Sequence, residues 1–276
     1  MNKSDVLIAV FSFNMGSTLD NCLEYLDRFC PGVDVVLIDD ASTEPMTLKT
    51  IEKWRPRLID AIFNLTPKTG QKHGNLYANI SAMCTYATDR GYKYLFMLQD
   101  DMQFVRPLTD AVLSEYQSLF DSSERVLQIS TCFLRRGKYE VLPSVKAYKN
   151  FGPSSYADVG ILDLSRLKES SWAFQDSERA NRDGLHALGY TRLLSFTPVV
   201  MHVPFPERYR NGKLKSSMFL RNRGKYGWHP MSDEEIVEMD SRDVSVFPTF
   251  RKFLRVRNMV VSRLIYMFRK DSRVLA

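Results

Sequence analysis

Four short apolar runs in the first hundred residues alternate with stretches of helical periodicity, and this alternation leaves the chain few folds to choose from. Residues 6–11, 33–38, 58–65 and 92–98 read as strands, and the segments between them, about 17–29, 45–54 and 75–90, read as helices. Leu19, Cys22, Leu23 and Leu26 put one apolar face on the first helix, and Pro31-Gly32 stops it. Strands joined by helices form βαβ units. The prediction is therefore an α/β protein with a mostly parallel, Rossmann-type sheet flanked by helices.

The second half is less regular. A helix is expected near 108–120 and a strand at 126–132, followed by a Lys/Arg/Tyr-rich stretch, 135–151, that reads as a hairpin or a lid. A strand at 156–162 leads to a helix starting near Ser165, and a further helix over about 177–188 is capped by Gly189. Residues 193–203 are strand-like and carry His202; 204–228 is basic and irregular. With no internal repeat and no low-complexity linker, the simplest division is one domain, 1–228, and a basic C-terminal extension, 229–276.

The composition is that of a globular protein: 44% of the 276 residues are hydrophobic and 25% charged, which excludes disordered and collagen-like classes. Cys22, Cys30, Cys84 and Cys132 form no CxxC pair and have no metal-ligand spacing. They are expected as reduced, mostly buried thiols of a cytoplasmic protein. Met1 to Asp5 lead straight into the first apolar run, too brief for a signal peptide, and no charge-free apolar segment reaches the roughly 18 residues that span a bilayer. Asn64-Leu65-Thr66 and Asn79-Ile80-Ser81 match the glycosylation sequon, in this setting by chance.

The charge is concentrated at one end. Residues 250–276 hold eight basic residues and one acid against a whole-chain charge of +6, so residues 1–249 sum to −1. Phe253, Val256, Val260, Leu264 and Met267 recur at helical spacing within this tail. Such a basic amphipathic helix suits an anionic membrane surface at about 1 kcal/mol per basic residue, which would make the protein peripheral to the inner face of the cell membrane. Packing against the domain or a second subunit is the competing reading. Nucleic acid is disfavoured, because the body shows no matching basic face.

Two of the strands end in adjacent carboxylates, Asp39-Asp40 and Asp100-Asp101. Ligands of open α/β sheets bind at the carboxyl ends of the strands, and neighbouring strands would bring both pairs to one crevice. Adjacent acids repel and lose solvation there unless a polar ligand or a divalent cation compensates them. The sequence has neither GxGxxG after its first strand nor GxxxxGK[ST], so a bound nucleotide would need its phosphates neutralised by metal. Mg²⁺ or Mn²⁺ suits such oxygen ligands, and Asp101 is a sensible one. Alternatively, the acids merely end their strands in solvated turns.

The ordered set Val10-Phe11-Ser12-Phe13-Asn14, Leu37-Ile38-Asp39-Asp40-Ala41-Ser42 and Leu98-Gln99-Asp100-Asp101 resembles family 2 glycosyltransferases, which have the nucleotide-diphosphosugar-binding fold called GT-A. The resemblance covers about 5–105 well and 150–205 loosely. It implies that Ser12 and Phe13 line the nucleotide pocket and that Asp40, with Asp39, contacts the base or ribose. Asp100 would face the ribose or sugar, and Asp101 would bind the metal that bridges the donor diphosphate. Gln99 departs from the pattern, standing where many members have the first acid. Gly70, Lys72 and Asn75 would approach the donor from the loop before the third helix, and His202 would add a metal or diphosphate contact.

Inverting sugar transfer also needs a base to take the proton of the acceptor hydroxyl. The family supplies it from an E-D-like motif opening a helix, a place occupied here by Asp176-Ser177-Glu178-Arg179; Glu178 is the first choice and Asp176 the second. The bland reading makes both of them helix-start acids that stabilise the dipole. The resemblance thus implies a metal-dependent hexosyltransferase moving a sugar from a UDP-, GDP- or dTDP-linked donor to a glycan or lipid-linked acceptor, as in polysaccharide biosynthesis. A non-catalytic carbohydrate- or membrane-binding module on the same fold, and a sugar-phosphate nucleotidyltransferase, remain alternatives.

Overall fold

A computed structural model describes residues 1–64, 74–135, 137–204, 208–210, 213–215 and 227–257. The first half follows the expected alternation: β1 (Val6–Ser12), α1 (Gly16–Phe29), β2 (Asp34–Asp39), α2 (Pro45–Trp54), β3 (Asp60–Phe63), α3 (Leu76–Asp89) and β4 (Tyr94–Gln99). Local chemistry sets these boundaries. Pro45 opens α2 with its fixed φ, and the Glu44 carboxylate accepts from the N–H groups of Met46 and Thr47.

A three-residue strand, β5 (Met102–Phe104), follows almost at once, and then α4 (Asp110–Asp121) and β6 (Val126–Ser130). The basic stretch after it forms a hairpin, β7 (Tyr139–Leu142) and β8 (Ala147–Asn150). Next come β9 (Gly160–Asp163), α5 (Leu164–Ser170), α6 (Glu178–Ala187), β10 (Thr191–Ser195) and β11 (Val200–His202). The strand expected at 156–162 thus begins four residues later. The one expected at 193–203 is two strands, divided around Pro198, whose missing N–H cannot serve a ladder. The remaining elements are β12 (Arg208–Arg210), β13 (Lys213–Lys215), β14 (Gly227–Trp228), α7 (Asp233–Asp240), α8 (Phe250–Phe253) and β15 (Val256–Arg257).

Nine strands form one sheet in the order β3-β2-β1-β4-β9-β6-β10-β8-β7. The pairings from β3 to β4 and between β6 and β10 are parallel, while β9 and β8 run against their neighbours. The sheet is therefore mostly parallel in direction. Alternation along β1 divides the core: Val6, Ile8 and Val10 join Leu19, Ile51 and Tyr116 of α1, α2 and α4 on one face. Leu7, Ala9 and Phe11 join Tyr77, Leu167 and Leu185 of α3, α5 and α6 on the other. All seven residues of β1 are buried, as expected of a strand covered on both faces, each large side chain contributing about 1.5–3 kcal/mol.

The chain beyond β14 packs onto this body. Met231, Met239, Phe250 and Leu254 share a cluster with Val105, Phe133, Met201 and Trp228, and the Arg106 guanidinium makes two 2.6 Å bonds to Asp240. Val256–Arg257 is extended and pairs with Gly227–Trp228, so the helical spacing expected from Phe253 does not hold there; the rest of that stretch lies outside the described residues. Among the described residues, no helix is long and apolar enough to cross a membrane. All four cysteines are free, and Asn79 of the second sequon is buried.

Candidate functional site

β1 lies between β2 and β4, with Ser12 opposite Asp39 and Phe11 opposite Gln99. Both acid pairs therefore reach one rim, on either side of the turn that leaves β1. That turn interlocks with the one after β2. Asn14, at φ 52°, donates its N–H to Ser42 Oγ (2.8 Å), while its Oδ1 accepts from Thr43 N (2.7 Å) and Glu44 N (2.8 Å). Ala41, at φ 58°, holds a left-handed conformation that alanine adopts only when its surroundings impose it.

The first acid pair is bound up in this architecture. Asp39 accepts from Ser42 N (2.7 Å) and Ser42 Oγ (2.6 Å). Burial, assisted by the Asp40 charge, raises its pKa against those bonds. Asp40 accepts from Asn75 N (3.0 Å) and Asn75 Nδ2 (2.6 Å), which ties the end of β2 to the start of α3. Gly74 permits the approach: at φ 55°, a Cβ there would lie 2.6 Å from Asp40 Oδ2. Gly70 and Lys72 lie outside the described residues.

The second pair divides. Asp100 Oδ2 accepts from Phe13 N at 2.9 Å, and burial, with the charges of Asp101 and Asp39, pushes its carboxyl well above the ordinary range. For Asp101, burial acts upward, but the adjacent His202 and, beyond it, Arg135 outweigh burial and leave the carboxyl below its usual value. His202 Nδ1 lies 3.0 Å from Asp101 Oδ1 because β11 pairs antiparallel with β5, His202 opposite Met102, and Val203 N bonds Asp101 O at 2.8 Å. The His202 carbonyl accepts from Trp228 Nε1 at 2.8 Å. Ser12 is buried, and Phe13 keeps an exposed ring 39% accessible at the same rim.

A carboxylate and an imidazole held together suit Mn²⁺ or Mg²⁺. Among the described residues no group of three His, Cys, Asp or Glu side chains could hold a metal ion. The pair therefore fits a cation that arrives with phosphate oxygens and water, as Mg²⁺ commonly does, rather than a resident cage.

Across the crevice, Ser177 caps α6 and leaves Glu178 exposed on its first turn, with Asp176 exposed just ahead. Ser155 Oγ donates to Arg182 O, which docks α6 on the segment entering β9. That segment carries Asp158. Burial, then repulsion from Glu178, raises the Asp158 carboxyl to about 6, while His202 and the Gln99 side chain act the other way. Arg192 on β10 faces the same acids; burial lowers its pKa against the attraction of Glu178 and Asp158, and its Nε is buried without a partner among the described residues. Asp158 and Arg192 escape sequence reading, since neither sits in a strand-end acid pair or at a helix start. Their signals are tertiary. Of the expected site residues, the structure brings together Ser12, Phe13, Asp39, Asp40, Asn75, Gln99, Asp100, Asp101, His202 and Glu178 around one rim.

No protein-family model matches the chain, and neither does any curated protein. Among solved structures, the chain is similar to S. aureus TarS, at 15% identity over 73% of this chain and 37% of that one, with a TM-score of 0.48. It is also similar to residues 1–349 of TarS (16% identity, 68% of this chain, 57% of that one, TM-score 0.45) and to the same piece in complex with UDP (17%, 68%, 57%, TM-score 0.48). The chain thus spans between about a third and just over half the length of these structures.

Proposed function

We propose that the chain is a glycosyltransferase that moves a sugar, with inversion, from a nucleotide-diphosphosugar to an acceptor hydroxyl, assisted by a divalent cation. One observation carries this reading. Acids and a histidine from five separate places, the ends of β2 and β4, the entry to β9, the first turn of α6 and the end of β11, face one crevice at the carboxyl ends of parallel strands.

Asp101 and His202 would hold the cation. When bound, it supplies positive charge to the departing diphosphate. The protein's own groups do the rest. Phe13 offers an exposed ring to a base, and its N–H fixes Asp100 in place. Asp39 and Asp40 shape the pocket wall through Ser42 and Asn75. Glu178, exposed at the first turn of α6, takes the proton from the acceptor hydroxyl as that oxygen attacks the anomeric carbon opposite the leaving diphosphate. A glycan or lipid-linked acceptor at an anionic membrane surface accords with the charge of residues 250–276.

Melting curves with UDP, GDP or dTDP, with and without Mn²⁺, test the reading, because a ligand at a hundred times its Kd adds about 2.7 kcal/mol to stability. A Mn²⁺-dependent rise with one nucleotide, and slow hydrolysis of its sugar donor, is expected. No response to any of the three would overturn it.

A further inference from the structure

We propose that Asp158 binds a ring hydroxyl of the donor sugar, supplying from the chain that enters β9 the carboxylate that the Gln99-Asp100-Asp101 turn lacks at its first position. This rests on the glycosyltransferase reading and names the group that would hold the transferred sugar.

Placement is the first support. β9 opens at Gly160, which pairs with Met97 of β4, two residues before Gln99. Continued by two residues, that antiparallel register sets Asp158 beside Gln99, and the charges of both Glu178 and His202 act on its carboxylate. An in-line displacement sets the sugar between the diphosphate, on the Asp101–His202 side, and the attacking hydroxyl, on the Glu178 side. Asp158, at the Gln99 end of β4 and within electrostatic reach of both His202 and Glu178, is the acid available to that sugar.

Rigidity is the second. Gln128, fully buried on β6, donates from Nε2 to the carbonyls of Ala157 (2.7 Å) and Val159 (3.2 Å) and accepts from Ala157 N at 2.8 Å. The backbone is thus clamped on both sides of Asp158. Gly160, at φ 112°, follows directly, and a Cβ there would stand 2.5 Å from Ile129 O, so the bend that delivers Asp158 to the rim requires glycine. A clamped acid among other acids is costly to hold ionised, and a sugar hydroxyl offers it a donor. The alternative, a purely structural acid, would serve the fold alone.

The test is a cycle of protein and donor variants. UDP-glucose, GDP-mannose and dTDP-glucose are screened with MnCl₂ for the donor the wild type hydrolyses, and that donor's singly deoxygenated sugars are then compared on wild type and Asp158→Asn. The variant should lower kcat/KM on the order of 10- to 100-fold while the Kd of the free nucleoside diphosphate stays within about threefold. One deoxy donor should lose as much on the wild type, yet lose nothing further on the variant. Asp158→Ser gives the same cycle should the asparagine not fold. Unchanged turnover by the variant, or equal losses for every deoxy donor on both proteins, would overturn the assignment. A wild type that binds no nucleoside diphosphate would instead sink the transferase reading itself.

Discussion

The acids over β2 and those over β4 and β9 share a rim and a residue type, yet they are treated oppositely. Asp39 and Asp40 spend their oxygens on the protein: Ser42 is held by the first and Asn75 by the second, and the reward is a fixed turn and a fixed start to α3. Asp101 and Asp158 face His202, Gln99 and Glu178, groups that are themselves polar and turned to the crevice. The difference teaches where to look for chemistry. Acids whose oxygens are taken up by backbone, hydroxyl or amide donors build structure, and acids whose neighbours are other ionisable side chains are held ready for a ligand.

The strongest way to break this contrast is to remove the base. Glu178→Gln should lower kcat by about 10²–10⁴-fold with KM for the donor little changed, read from steady-state transfer. Donor hydrolysis or transfer at the wild-type rate would remove Glu178 from the mechanism. Asp101→Ala comes next: a loss on the order of 10²–10³-fold is expected, together with the Mn²⁺-dependent part of nucleotide affinity, measured by calorimetry. Full activity with intact metal dependence would place the cation elsewhere.

The wall acid should behave differently. Asp39→Ala removes the partner of both Ser42 groups and should cost about 1–3 kcal/mol in urea unfolding, a loss of stability before any loss of chemistry. An unchanged unfolding midpoint would erase the contrast drawn here. The smallest effect concerns pH. Asp158 rises from its ordinary 3.8 to about 6 in the folded chain, so the native state binds more protons than the unfolded one in between. Its contribution is fully present below pH 3.8 and is lost as the pH climbs through about 6. Asp158→Asn, still facing Glu178, His202 and Arg192, should therefore flatten the fall in the urea midpoint between those two values. Parallel curves for the two proteins would refute the shift.

How far the fold could be read in advance follows from the length of its elements. β1, β2 and β4 and the helices between them carry long apolar periodicities, and α2 occupies the very residues expected of it because Pro45 and Glu44 fix its start locally. The second half misleads where strands are short. β5 and β11 have three residues each, too few to show a period, and His202 reaches Asp101 only through their pairing. Residues 156–159 look like strand, but Gln128 holds them as a crossing segment, and with them the position of Asp158.

By itself, then, the sequence determined the α/β alternation, the two acid pairs at strand ends and the acid at the first turn of α6, because each is written in contiguous residues whose spacing decides where side chains point. Only the tertiary structure decided which acids are occupied and which are poised. Hydrogen-bond partners such as Asn75 for Asp40, and neighbours such as His202 for Asp101, come from segments 35 and 101 residues away. A carboxylate's proton affinity depends on what surrounds it in space, and burial brings those surroundings together only when the whole sheet has formed.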